Sequence, residues 1–108
     1  MKSEVLERIQ HEISENDVVL YMKGSAAFPQ CGFSAAIVQT LENVGVPFRD
    51  IDVLSDPGLS QGLKDFANWP ATPQLYIKGE FIGGCDIVKE MHANGDLQVL
   101  LKKKGLLR

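Results

Sequence analysis

Val18-Val19-Leu20-Tyr21-Met22 is an unbroken apolar run, set off from what precedes it by Asn16-Asp17. A run this short, with no polar residue alternating through it, is the pattern of a strand covered on both faces and therefore central in its sheet. After it, Gly24 to Gln30 reads as a loop containing Pro29. Ile37, Val38, Leu41 and Val44 then recur at helical spacing, with Gly45 in the position that closes a helix. Cys31 falls at the N-terminal end of that helix. Val46 to Val53, with Phe48, Ile51 and Val53, reads as a second strand, which a crossover helix joins in parallel to the first.

Outward from this β-α-β unit, Val5, Leu6, Ile9 and Ile13 follow Ser3 and Glu4 at helical spacing, which predicts an opening helix with Ser3 as N-cap and an acidic first turn. On the other side, Asp56-Pro57 carries the N-cap and first-position signature of a helix continued by Leu59, Leu63 and Phe66 and ending near Asn68. Trp69-Pro70-Ala71-Thr72-Pro73 excludes regular helix. Leu75-Tyr76-Ile77, Lys78-Gly79 and Glu80-Phe81-Ile82 read as a tight hairpin. Gly83-Gly84 leads to Cys85-Asp86, with Asp86 expected to cap a helix carrying Ile87, Val88 and Met91, and Gly95-Asp96 opens a last short helix. The order α-β-α-β-α-β-β-α-α makes a four-stranded mixed sheet flanked by helices on both faces, an α/β sandwich of thioredoxin type.

The whole chain of 108 residues suits one domain, residues 1–108, and 44% hydrophobic with 23% charged residues is an ordinary globular composition. A net charge of −3, with cations scattered apart from Lys102-Lys103-Lys104, argues against a nucleic-acid footprint; the triplet reads as a solvated helix end. No run approaches the roughly 20 apolar residues of a membrane helix, and no secretory leader pattern opens the chain. A cytosolic setting is expected, in a bacterium, with the mitochondrial matrix after processing as the alternative. Two cysteines, Cys31 and Cys85, make neither a disulfide framework nor a C-x-x-C pair.

Cys31, after a Gly- and Pro-containing loop and at a helix start, faces unpaired N–H groups and the positive end of the helix dipole. Such surroundings favour thiolate, which is both nucleophile and metal ligand; Lys23, at the end of the central strand, adds positive potential. The plain alternative is a buried, inert thiol. Ser34 stands where a dithiol oxidoreductase has its second cysteine, so the chemistry is expected to be monothiol. Thr72-Pro73 would expose a docking edge if cis, although most X–Pro bonds are trans. Gly83-Gly84 would admit a ligand to the backbone, or simply mark a turn. Lys64 is in reach of a carboxylate or merely solvated, and His11 and His92 lack ligand-type spacing.

Lys23-Gly24, Cys31-Gly32-Phe33-Ser34, Asn68-Trp69-Pro70, Thr72-Pro73-Gln74 and Gly83-Gly84-Cys85-Asp86, five blocks in order over nearly the whole chain, resemble the CGFS-type monothiol glutaredoxins. The resemblance implies the thioredoxin/glutaredoxin fold. It also implies that Lys23 and Lys64 bind the glycine carboxylate of glutathione and that Thr72, beside cis Pro73, pairs with its cysteinyl part. Gly84, Cys85 and Asp86 would hold the γ-glutamyl end. Cys31 would be the reactive sulfur and the cluster ligand, with Gly32 and Phe33 shaping the loop. Further implications are a [2Fe–2S] cluster bridging a homodimer, delivery of that cluster to apo iron–sulfur proteins, and pairing with a BolA-type protein. Ser60 stands where many relatives carry Arg, and Ala71-Thr72 replaces the usual Thr and apolar residue, so glutathione is expected to be held more weakly. Ligand counting agrees: a [2Fe–2S] centre takes four thiolates, which two chains and two glutathiones supply together. The competing expectations are an enzyme reducing glutathione mixed disulfides through Cys31, and a redox sensor linking Cys31 to Cys85.

Overall fold

A computed structural model of the chain describes residues 3–69 and 71–107. Pro70, read above as part of a helix-breaking segment, lies outside them. The elements run α1 (Ser3–Glu15), β1 (Val18–Met22), α2 (Gly32–Val44), β2 (Arg49–Asp52), α3 (Pro57–Ala67), β3 (Gln74–Ile77), β4 (Glu80–Gly83), α4 (Cys85–Asn94) and α5 (Asp96–Lys103), with a short 3₁₀ turn at Val53–Ser55. The sheet order is β2-β1-β3-β4, with β1 parallel to β2, and β3 antiparallel to both β1 and β4.

Strand β1 is buried along its whole length because it has a strand on each side and helices on each face. Its side chains alternate as a pleat demands. Val18, Leu20 and Met22 join Ile37, Leu41, Leu75, Val88, Leu97 and Leu101 beneath α2, α4 and α5; Val19 and Tyr21 join Ile9, Ile13, Leu59, Leu63 and Tyr76 beneath α1 and α3. Two cores therefore share one five-residue strand. Helices α1 and α3 approach closely at Gly62, where a Cβ would run into Val5. On the same side the Tyr21 hydroxyl donates to Glu12 at 2.7 Å, and Arg8 bridges Glu12 and Asp56 at 3.1 and 3.2 Å.

Several expectations shift at their boundaries. Strand β2 begins at Arg49, not Val46, since Pro47 has no N–H to give a ladder; it ends at Asp52, whose side chain caps the 3₁₀ turn that takes Val53 out of the strand. Ser3 lies inside α1 and is not its N-cap. Gly84, not Asp86, is the N-cap of α4: the helix already starts at Cys85 and Val88 N–H donates to the Gly84 carbonyl at 3.1 Å. Asp86 sits instead in the first turn, where a carboxylate complements the helix dipole. Asp56 does cap α3, accepting from Gly58 N–H at 2.9 Å. The hairpin turn is Lys78-Gly79, both with positive φ (52° and 80°), the primed geometry that suits a two-residue hairpin.

Candidate functional site

Leaving β1, the chain folds into a small closed loop. Gly24 bridges to Pro29, Ser25 and Phe28 exchange backbone hydrogen bonds, and Gln30 N–H donates to the Lys23 carbonyl at 2.8 Å. Gly24 is required at the base of this loop: its φ is +86°, and a Cβ there would lie 2.5 Å from the Phe28 carbonyl oxygen. The loop delivers Cys31 to the N-cap of α2 with extended backbone (φ −154°, ψ 137°) and no side-chain capping bond, so the first N–H groups of the helix are left to the sulfur. Cys31 is half-exposed, which removes the inert-thiol reading. Its pKa lies below the ordinary thiol value. The Ser34 backbone N–H is the main cause, partial burial opposes it, and the Phe33 N–H, the Ser34 hydroxyl and the Lys23 charge act in the same direction as the first.

Ser34 is fully buried, and its hydroxyl oxygen accepts the Lys23 N–H at 3.1 Å. The hydroxyl proton is thereby left for another acceptor. A serine here satisfies the end of β1 and supports the sulfur without offering a second thiol.

Two concavities flank this helix start. One, of about 340 Å³, is lined by Lys23 and Lys64 together with Val53, Leu54, Pro57, Ser60 and Gln61. Among the described residues the ion pairs are Arg8–Glu12, Arg8–Asp56, Lys78–Asp17 and Lys104–Glu80, so neither lysine of this cleft has a carboxylate partner. The other, of about 280 Å³, is walled by Phe33, Trp69, Ala71, Thr72, Pro73, Gly84, Cys85, Asp86 and Ile87, and the Thr72–Pro73 peptide within it is cis. Its floor is closely fitted: a Cβ on Gly84 would come within 3.3 Å of both the Pro73 carbonyl and the Trp69 ring nitrogen. Gly32, at the first position of α2, faces open space. Cys85 is half-exposed but has a raised pKa, chiefly through burial; Lys89 opposes the rise, while Asp86 and the nearby Cys31 add to it. Both cysteines are free thiols.

The fold thus brings Lys23 and Lys64 into one cleft and Phe33, Thr72, Pro73, Gly84, Cys85 and Asp86 into another, whereas Cys31 and Gly32 line neither. It also adds residues that sequence reasoning passed over. Trp69 is fixed by ring contact with Phe81 at a centroid distance of 5.6 Å and walls the second cleft with Ile87. Asp50 and Asp52 accept backbone N–H groups of the Cys31 loop. Trp69 lies in the Asn68-Trp69-Pro70 block that carries the resemblance, but neither it nor the acidic residues of the second strand was given a role in the site. Phe28 (75% exposed) and Phe33 (62%) stand on either side of Cys31 in sequence.

A mixed four-stranded sheet in this order, a thiol at the start of the first crossover helix and a cis proline opening β3 define a thioredoxin-fold thiol protein. A family model described as Glutaredoxin matches residues 18–82. The chain is 52% identical over 107 residues to "Probable monothiol glutaredoxin 2" of Rickettsia typhi, covering 99% of this chain and 96% of that one. It is 50% identical over 101 residues to "Glutaredoxin 4" of Escherichia coli K12, covering 94% and 88%. The solution structure of reduced poplar apo GrxS14 superposes with a TM-score of 0.78 at 45% identity, covering 93% and 89%. The chain belongs to the glutaredoxin family, in its monothiol branch.

Proposed function

We propose that this chain binds glutathione across the two clefts and carries a [2Fe–2S] cluster as cargo, held between two copies of itself or with a BolA-type partner, for delivery to apo iron–sulfur proteins. The observation that carries the reading is Cys31: a half-exposed sulfur whose ionised form is favoured by helix N–H groups, with serine in place of a second thiol. Among the described residues no group of three or more His, Cys, Asp or Glu could hold a metal alone. One open thiolate per chain fits a cluster only if the remaining thiolates come from outside it, and two chains with two glutathiones make four.

Each part of the chain then has a task. Among the described residues neither Lys23 nor Lys64 has a carboxylate partner, and both attract a carboxylate to the first cleft. The backbone of Thr72 offers hydrogen bonds to an extended peptide, Gly84 admits it closely, and Asp86 meets an ammonium group at the far end. Glutathione docked this way brings its own sulfur beside Cys31. Ligands held without covalent bonds can depart, which suits a cluster that must be handed on. The described helices include none long and apolar enough to cross a membrane. A cytoplasmic location, where thiols stay reduced, agrees with the chemistry.

The test is anaerobic reconstitution with iron and sulfide, with and without glutathione, read by visible absorption and by mass. A cluster-bearing dimer is expected only with glutathione. A cluster formed equally well without it, or none in either case, overturns the reading.

The same sulfur supports a second activity. The Cys31 thiolate attacks the glutathione sulfur of a mixed disulfide, the protein thiolate leaves and takes a proton, and a Cys31–glutathione disulfide remains. A second glutathione thiolate then releases oxidised glutathione and restores the Cys31 thiolate. Rapid turnover in a glutathione-coupled assay, from a chain that assembles no cluster, would make this the principal role.

A further inference from the structure

Asp52, the last residue of β2, accepts two backbone N–H groups on one carboxylate oxygen: Gly24 at 2.9 Å and Leu54 at 2.8 Å. These donors belong to two segments that reach the lysine cleft. Gly24 directly follows Lys23, whereas Leu54 is itself in the cleft wall and leads into α3, which carries Lys64. Lys23 is held at both of its own backbone groups, donating to the Ser34 hydroxyl at 3.1 Å and accepting from Gln30 N–H at 2.8 Å. Gln30 precedes Cys31, and Ser34 supplies N–H and O–H groups to its sulfur. Hydrogen bonds and the backbone between them therefore link the wall of the cleft through Asp52 to Lys23, and Lys23 to the residues on either side of Cys31.

We propose that Asp52 is a positioning residue that fixes the two walls of the lysine cleft relative to each other and holds the Lys23–Gly24 backbone on which the seat of Cys31 depends. A carboxylate is suited to this, since one oxygen takes two N–H bonds and the charge strengthens both. The loop has no slack to compensate, because Gly24 is packed against the Phe28 and Gln30 backbone. Asp50 plays a lesser part: its Oδ2 accepts Ala26 N–H at 2.8 Å, and neither residue lines the cleft. A role confined to capping the 3₁₀ turn would leave Cys31 untouched. The cleft half of the inference rests on the glutathione reading above; the sulfur half does not.

The experiment compares Asp52→Ala, Asp52→Asn, Asp52→Glu and Leu101→Ala, the last being a fully buried α5 residue that lines neither cleft and whose loss loosens the core. Cys31 alkylation by iodoacetamide is followed from pH 5 to 9 by peptide mass, and glutathione binding by calorimetry. Asp52→Ala is expected to raise the pH midpoint of Cys31 alkylation, slowing the reaction about threefold below the midpoint, half a pKa unit being a factor of about three. It is also expected to weaken glutathione several-fold. Asn keeps an oxygen acceptor and should restore most of both, and Leu101→Ala should leave the midpoint in place. If Asp52→Ala fails to fold, Asp52→Glu, which displaces the oxygen by one methylene, should give an intermediate shift. A wild-type midpoint in Asp52→Ala or, where that variant does not fold, in Asp52→Glu overturns the proposal, as does an equal shift in Leu101→Ala. Should the wild-type chain bind no glutathione, the functional reading falls, while the alkylation profiles still decide the role of Asp52.

Discussion

The starts of α2 and α4 each carry a cysteine, and the two behave in opposite ways. Cys31 is the N-cap of α2 and its pKa is lowered; Cys85 is the first residue of α4 and its pKa is raised. Both sit at the positive end of a helix, and both are half-exposed. The helix end by itself therefore does not decide reactivity. What differs is one position along the chain and the neighbours: the Ser34 and Phe33 N–H groups favour the Cys31 thiolate, with Lys23 nearby, whereas burial, Asp86 and the charge of Cys31 itself act against ionising Cys85.

The sharpest way to break this contrast is to remove each sulfur. Cys31→Ser should abolish both cluster assembly and thiol exchange, while Cys85→Ser should retain the cluster; visible absorption after reconstitution reads both. Loss of the cluster in the Cys85 variant would show that the α4 thiol is a ligand, and the two helix starts would then be alike.

Ser34→Ala tests the neighbours. It leaves the Lys23 N–H without its acceptor in a buried setting, at a cost of about 1–3 kcal/mol, and takes a hydroxyl from the sulfur. Denaturant unfolding should show the first effect and a higher pH midpoint for Cys31 alkylation the second.

The pH profiles of the unaltered chain sharpen the comparison directly. Alkylation follows the thiolate fraction, so a lowered pKa moves the half-maximal rate of Cys31 below the value near pH 8.5 of a free cysteine, and a raised one moves that of Cys85 above it. At pH 7 iodoacetamide should label Cys31 first. The sign for stability follows the same logic. Ionised Cys31 stabilises the fold above the unfolded thiol pKa, and this contribution fades as pH falls through the lower folded value. Equal labelling of the two cysteines would remove the distinction.

The smallest expected effect concerns the lysine cleft beside α3. Ser60→Arg would place a third cation with Lys23 and Lys64 and should tighten glutathione by a few-fold, consistent with about 0.5–1 kcal/mol for a solvent-facing ion pair. Calorimetry at two salt concentrations checks it, since the gain should shrink at high salt.

Much of this architecture was legible in the sequence because local signals agreed with the tertiary fold. The all-apolar run Val18–Met22 announced a central strand, Asp56-Pro57 and Gly45 marked helix ends, and Lys78-Gly79 marked the hairpin. Other points were misplaced where a single hydrogen bond outweighed composition. Asp52 turns the chain before Val53 can extend β2, and the Gly84 carbonyl accepts the first α4 bond before Asp86 can cap. The two aspartates of β2 gave no local pattern, and Trp69 stood in a recognisable block without a role in the site, since their importance lies in contacts made across the fold.

By itself the sequence determined the order of elements, the family, and the presence of one reactive cysteine with serine three residues on. These follow from periodicity, turn chemistry and motif, which are properties of neighbours along the chain. Only the tertiary structure decided that Lys23 and Lys64 share a cleft, that Thr72, Gly84 and Asp86 share another, and that the pKa values of Cys31 and Cys85 are moved in opposite directions. Electrostatic surroundings and concave surfaces are made by groups distant in sequence, and they come into being only when the sheet brings those groups together.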